Sequence, residues 1–165
     1  MYINQNKNQN HAYFMRLALQ QARKTLGNTK DNPAVGCVIV KNNQIIAEGS
    51  NEVTKTNDPT AHAEIVTIRN ACNKLKNFNL EGTELFTSCE PCPMCLSAIY
   101  WSHINKIYYA NSRLDAAKIG FDDNFIYDEL LIDLAKRKIP SQQINQNEAI
   151  KAFEEWGSKT DKIKY

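Results

Sequence analysis

Apolar positions recur every three or four residues over Phe14, Met15, Ala18, Leu19, Ala22 and Leu26, which predicts a first helix with one buried stripe. Gly27 to Pro33 is rich in turn formers and ends it. The pattern then becomes continuous and β-branched. Val35-Gly36-Cys37-Val38-Ile39-Val40 and Ile45-Ile46-Ala47, joined through Asn42-Asn43, predict a β-hairpin. Asp58-Pro59-Thr60 reads as a helix start with Thr60 as N-cap, and Ile65, Ile68, Ala71, Cys72 and Leu75 continue at helical spacing. Gly82 breaks the chain before a strand at Glu84–Thr87. A helix follows from near Pro93, a residue favoured at the first helical position, to about Ser102. Lys106–Ala110 predicts another strand.

Beyond Leu114 the spacing is mostly helical, with apolar faces at Phe125-Ile126-Tyr127 and Leu130-Leu131-Leu134 and a stop at Pro140. Gln142–Ile144 offers a final short strand. Ala149, Ile150, Phe153 and Trp156 define a last amphipathic helix. Strands alternating with helices predict a layered α/β domain.

Composition narrows this picture. A chain of 165 residues with 42% hydrophobic positions reads as one domain, residues 11–165, with enough apolar surface for a core. Met1–Asn10 is rich in Asn and Gln, which predicts a flexible polar segment. It has no apolar stretch of the kind a secretory signal needs, and no run of about 18 apolar residues follows, so the expected location is cytoplasmic. The net charge is +2 and the basic residues are scattered. That favours a small-molecule substrate over nucleic acid, which calls for a clustered basic face.

The candidate chemistry lies in two short stretches. His62-Ala63-Glu64 stands near one helix start, and Pro91-Cys92-Pro93-Met94-Cys95 stands at the next strand-to-helix junction. Five cysteines with tight local spacing argue for metal binding rather than disulfides in a reducing compartment. Catalytic zinc takes three protein ligands and leaves one place for water. His62, Cys92 and Cys95 supply that set. Both cysteines fall at a helix N-terminus, where the backbone N–H groups and the dipole favour thiolate. Glu64 lies two residues from His62, off the ligand face of a helix, and is the candidate proton carrier.

Other readings of the same residues stay open. Cys89, Cys92 and Cys95 begin like an iron–sulfur run, although no fourth cysteine follows. A closed structural zinc site using all three with His62 would leave Glu64 without a role. A catalytically silent zinc-binding module is a further alternative, against which the intact Glu64 stands. Cys37 and Cys72 fall on apolar faces and read as packing residues. His11 and His103 read as surface residues.

Asn57-Asp58-Pro59-Thr60-Ala61-His62-Ala63-Glu64 with Ser88-Cys89-Glu90-Pro91-Cys92-Pro93-Met94-Cys95-Leu96-Ser97-Ala98-Ile99-Tyr100-Trp101 resembles the cytidine-deaminase-like superfamily. Ala47–Asn51, Asp115-Ala116-Ala117, Gly120–Tyr127 and the terminal Tyr165 extend the resemblance to the bacterial guanine deaminases, over roughly residues 12–165. The resemblance implies a three-layer α/β/α fold with a mixed five-stranded sheet. It implies one zinc per subunit and hydrolytic deamination of a purine base, guanine giving xanthine and ammonia. It further implies a homodimer whose C-terminal segment, about residues 141–165, is swapped between subunits.

By position, Glu64 and Asp123 would be catalytic, with Asp123 helping to protonate the leaving amine. Asn51 would hydrogen-bond the purine, and Tyr165 of the neighbouring subunit would close over it. Trp101 is a candidate substrate contact for which core packing is the favoured alternative, and Phe121 carries the same two readings. The chain departs from the family pattern at Asn32-Pro33-Ala34-Val35-Gly36, where Val35 replaces a phenylalanine. A tRNA-specific adenosine deaminase, or a cytosine-type base deaminase, is the alternative within the same superfamily.

Overall fold

The computed structural model describes residues 2–26 and 34–163. Helix α1 (Tyr2–Thr25) is followed by strands β1 (Gly36–Lys41) and β2 (Gln44–Ser50) and a single helical turn, α2 (Val53–Thr56). Helix α3 (Ala63–Leu75), strand β3 (Thr83–Cys89), helix α4 (Pro93–Trp101), strand β4 (Lys106–Asn111) and short helix α5 (Arg113–Lys118) come next. Helices α6 (Asn124–Leu131) and α7 (Gln146–Ser158) complete the chain, with a 3-10 turn at Leu134–Lys136 between them.

The four strands form one sheet in the order β2-β1-β3-β4. β1 runs antiparallel to both β2 and β3, and β3 runs parallel to β4. Asn42 and Asn43 both take positive φ, 51° and 61°, the backbone of a type I′ turn whose twist matches the two strands it joins.

β1 is buried on both faces, and its alternation divides the core in two. Val38 and Val40 face Phe14 and Ala18 of α1, together with Phe86 of β3. Cys37 and Ile39 face the other way, into a cluster with Ala63 and Ala71 of α3, Leu85 of β3 and Ile99 of α4. Helices therefore cover both faces, and the layers are α/β/α.

Several expectations change. The sheet has four strands rather than five. Gln142–Ile144, the expected fifth, makes no strand, because no neighbouring ladder takes up its backbone groups among the described residues. Residues 2–10 continue α1, since extending a helix already nucleated over its apolar stripe costs far less than starting one. Leu26 lies just past the end of that helix and is exposed. Thr60 does not cap α3. Asp58 Oδ1 instead accepts from the Thr60 N–H at 2.8 Å and from its hydroxyl at 2.6 Å, a local turn that postpones the helix to Ala63. α6 stops at Leu131, well before Pro140. His11 is half-buried, its ring centroid 4.5 Å from that of Tyr108. The expected turn at 27–33 lies outside the described residues.

By contact the chain divides into two compact units, Met1–Asp123 and Asn124–Tyr165. The first holds the sheet and both core clusters. In the second, no residue of α6 or α7 is buried, and Leu131, Ile144, Phe153 and Trp156 are all exposed.

Gly36 marks the closest approach of α1 to the sheet. A Cβ there would collide with the Ala18 carbonyl and the Ala22 amide, both backbone atoms that cannot swing aside. Gly36→Ala is expected to cost at least about 1–3 kcal/mol of stability by overpacking. Urea unfolding checks this; an unchanged midpoint would show that α1 is free to shift.

Candidate active site

The polarity of the strands gathers the site at one end of the sheet. β3 and β4 are parallel, so both end there, at the pair Cys89↔Asn111. β1 is antiparallel to β3 and begins at the same end, while β2 finishes beside it at Gly36↔Ser50. Val35, Asn51, Cys89 and Arg113 are therefore brought together from four separate strand ends. This is the carboxyl edge of the parallel pair, where open α/β sheets commonly place their ligands.

Helices α3 and α4 begin at the same edge. His62 is the N-cap of α3 and Cys92 the N-cap of α4, and the His62 side chain makes no cap hydrogen bond. Pro93 takes the first helical position of α4, and Cys95 stands at the third. Nδ1 of His62 lies 3.6 Å from Cys92 Sγ and 3.5 Å from Cys95 Sγ. Tetrahedral zinc, with bonds of roughly 2.0 Å to nitrogen and 2.3 Å to sulfur, requires a spacing of about 3.6 Å between such atoms. The three donor atoms all lie within 4.8 Å of one another.

Electrostatics agrees with that fit. Cys92 is drawn down to about 4, chiefly by the hydrogen bond from the Cys95 thiol and further by His62. Cys95 is pushed strongly up, first by that same bond and then by burial. Two adjacent thiolates repel each other, which opposes ionising both. A divalent cation removes the conflict by accepting both.

Glu64, in the first turn of α3, is only 3% exposed. Its Oε1 accepts the Thr87 hydroxyl at 2.6 Å, and the Cys95 thiol lies 3.4 Å from its Oε2. Burial is the main cause of its raised pKa. A carboxylate held this way, beside the metal ligands but bonded through β3, is placed to move protons rather than to ligate.

A cavity of about 100 Å³ opens on these groups. It is far smaller than the roughly 300–1,000 Å³ of pockets for drug-sized ligands. His62, Glu64 and Cys92 line it together with Asn51 and Asp123. Asn51 is buried: its N–H donates to the Val35 carbonyl at 3.0 Å, and its Oδ1 accepts from the Val53 N–H at 3.0 Å. The Asp123 carboxyl is raised by partial burial and then by the nearby Cys92 charge.

Val35 lines the cavity, so the departure from the family pattern falls within the site itself. Phe121 lines it too. Trp101 does not. It closes α4, more than two turns from the ligand end, and is 64% exposed. Tyr165 lies outside the described residues. Cys89, Glu90 and Arg113 also line the cavity without having been singled out for it by the motif. For the first two, nearness to Cys92 was a usable signal; Arg113 has none.

The arrangement defines a class. The chain belongs to the cytidine and deoxycytidylate deaminase family, whose zinc-binding region matches residues 8–111, and it is a zinc-dependent aminohydrolase. Among known proteins it is similar to the guanine deaminase of Bacillus subtilis, at 45% identity over 94% of this chain and 99% of that one. The X-ray structure of Bacillus subtilis guanine deaminase matches with a TM-score of 0.89 and 44% identity, over 94% of this chain and 98% of that chain. The tRNA-specific adenosine deaminase of Aquifex aeolicus is 41% identical over 59% of this chain and 64% of its own length.

His62, Cys92 and Cys95 form the group that could hold a metal ion among the described residues, and Cys89 is not part of it. Elemental analysis of purified variants is expected to show zinc lost from Cys92→Ser and Cys95→Ser and retained in Cys89→Ser. Zinc loss from Cys89→Ser would instead indicate a closed four-ligand site.

Proposed function

We propose that this chain converts guanine and water to xanthine and ammonia. The observation that carries the proposal is the buried Glu64, set beside a His-Cys-Cys zinc set in a cavity of about 100 Å³. The near full-length similarity to a guanine deaminase supports the choice of base. The tRNA-specific adenosine deaminases are less similar over comparable lengths, the one that matches 88% of this chain being 34% identical.

Zinc, when bound, supplies an activated water and a Lewis acid. Glu64 takes a proton at its carboxylate as the water oxygen attacks C2 of guanine. It returns that proton to the adjacent ring nitrogen and assists the departure of the 2-amino group. Asp123 helps protonate the leaving amine. Asn51, its amide oxygen engaged by Val53, has its NH2 group left to donate to the purine. The proposed stoichiometry is one zinc per chain.

We further propose a homodimer in which the segment from about residue 141 crosses to the partner, where Tyr165 closes over the base. The apolar side chains of Ile144, Ile150, Phe153 and Trp156 lie on a unit with no buried helix residue, which supports an association that covers them. Free thiols at Cys37, Cys72 and Cys89 suit a cytoplasmic setting. No helix among the described residues is long and apolar enough to cross a membrane.

A panel of guanine, adenine, cytosine, cytidine and a tRNA anticodon stem, followed by ammonia release, tests the substrate. Guanine is expected to react, and Glu64→Gln is expected to lose about 10²–10⁴-fold in kcat with zinc retained. Turnover of the tRNA stem with none of guanine would replace the substrate assigned here.

The exchange has its own test. Deleting Tyr165 is expected to slow turnover with zinc content unchanged. Co-expressing that deletion with Glu64→Gln is expected to raise activity above that of either variant alone, because in the mixed dimer the intact Glu64 receives the partner's Tyr165. No complementation would place Tyr165 in its own subunit's site or outside any site.

A further inference from the structure

The cavity wall carries three carboxylates, Glu64, Glu90 and Asp123. Among the described lining residues, Arg113 is the one permanently charged cation. Its backbone is held firmly in place. The Arg113 N–H donates to Glu90 Oε2 at 2.9 Å, and the Glu90 N–H donates to the Asn111 carbonyl at 2.8 Å. Ser112 and Asp115 then close a capping box around the start of α5. The segment is thus fastened to the residue two places before Cys92. The positive charge of Arg113 also reaches Asp123 on the same wall.

Substrate chemistry supplies the second half of the argument, and it rests on the guanine reading above. The amine-bearing carbon C2 must face Glu64. The far side of the purine then presents O6 and N7, two adjacent acceptors. Carboxylates repel such an edge. Asn51 lies at the β2 flank of the sheet and Arg113 at the β4 flank, with β1 and β3 between them. A guanidinium is a planar fork of donors that matches the O6/N7 edge with two parallel hydrogen bonds.

We propose that Arg113 is a specificity-determining residue that grips the O6/N7 edge of the base through its guanidinium, fixing guanine with C2 towards Glu64. This contact lies away from the reacting carbon and is present before and during reaction, so it acts mainly on KM. Adenine carries a donor in place of O6 and loses the paired contact.

Arg113→Met and Arg113→Lys test the assignment, with zinc content and guanine kinetics measured on each. Both leave the backbone bond to Glu90 in place. Arg113→Met is expected to lower kcat/KM for guanine about 10- to 100-fold, mostly through KM, with zinc retained. Arg113→Lys, which offers a single point donor, is expected to recover part of that loss.

A binding measurement separates this contact from a structural role. Hypoxanthine keeps O6 and N7 but has no amine to lose, and unsubstituted purine lacks O6. Arg113→Met and Arg113→Lys are each expected to weaken hypoxanthine binding while changing purine binding less than about threefold. Equal weakening of both ligands, or unchanged hypoxanthine binding, would overturn the proposal. The binding comparison stands even if the intact enzyme proves inactive on guanine, so the two readings fail separately.

Discussion

His62 and Cys92 occupy the N-cap positions of α3 and α4, and neither is one of the oxygen-bearing side chains that cap helices best. Serine, threonine, asparagine or aspartate would stabilise each helix start by about 0.5–2 kcal/mol. The chain forgoes that at both helices. What it gains is two ligand side chains projecting from the same sheet edge, with Cys95 one turn further on. The parallel pairing of β3 with β4 makes this possible. β3 ends at Cys89 and leads straight into α4, while β1 brings Val35 alongside from the opposite direction.

Burial of Glu64 is the second consequence of that geometry. The first turn of α3 buries both Ala63 and Glu64. A buried carboxylate must be bonded, and the Thr87 hydroxyl supplies a short bond from β3. The same bond locks α3 to the strand that delivers the cysteines. Glu64 and the His-Cys-Cys group are therefore positioned by one unit of strand and helix starts, as a site that moves protons within hydrogen-bond reach would require.

The hairpin, the four strands of the sheet and the closeness of His62, Cys92 and Cys95 were legible in the sequence because each rests on a local signal. Paired asparagines marked the turn, β-branched runs marked buried strands, and His-x-Glu with Pro-Cys-x-x-Cys marked the ligands. Local reading failed where a competing local bond won. Asp58 captured Thr60 in a turn and moved the start of α3. It failed again for Gln142–Ile144, since strand formation depends on an available neighbour more than on the three residues themselves. Trp101 carries an aromatic ring suited to a base, but α4 runs away from the cavity and takes it to the exposed far end. Arg113 joins the cavity only because β4 ends level with β3, a property of the sheet that no local spacing reports.

Reaction and recognition consequently draw on different parts of the same edge. The ligands and Glu64 come from helix starts whose positions are fixed by the core. The groups that would distinguish one base from another come from the residues flanking the strands. Val35 illustrates the difference. Its carbonyl accepts from the Asn51 N–H, so its backbone helps to hold a polar cavity residue whatever its side chain is. Replacing phenylalanine by valine there alters the shape of the wall without touching the bond. The phenyl ring that does line the cavity belongs to Phe121, two residues before Asp123. In this chain aromatic surface and acidic group thus arrive together, from the loop that follows α5.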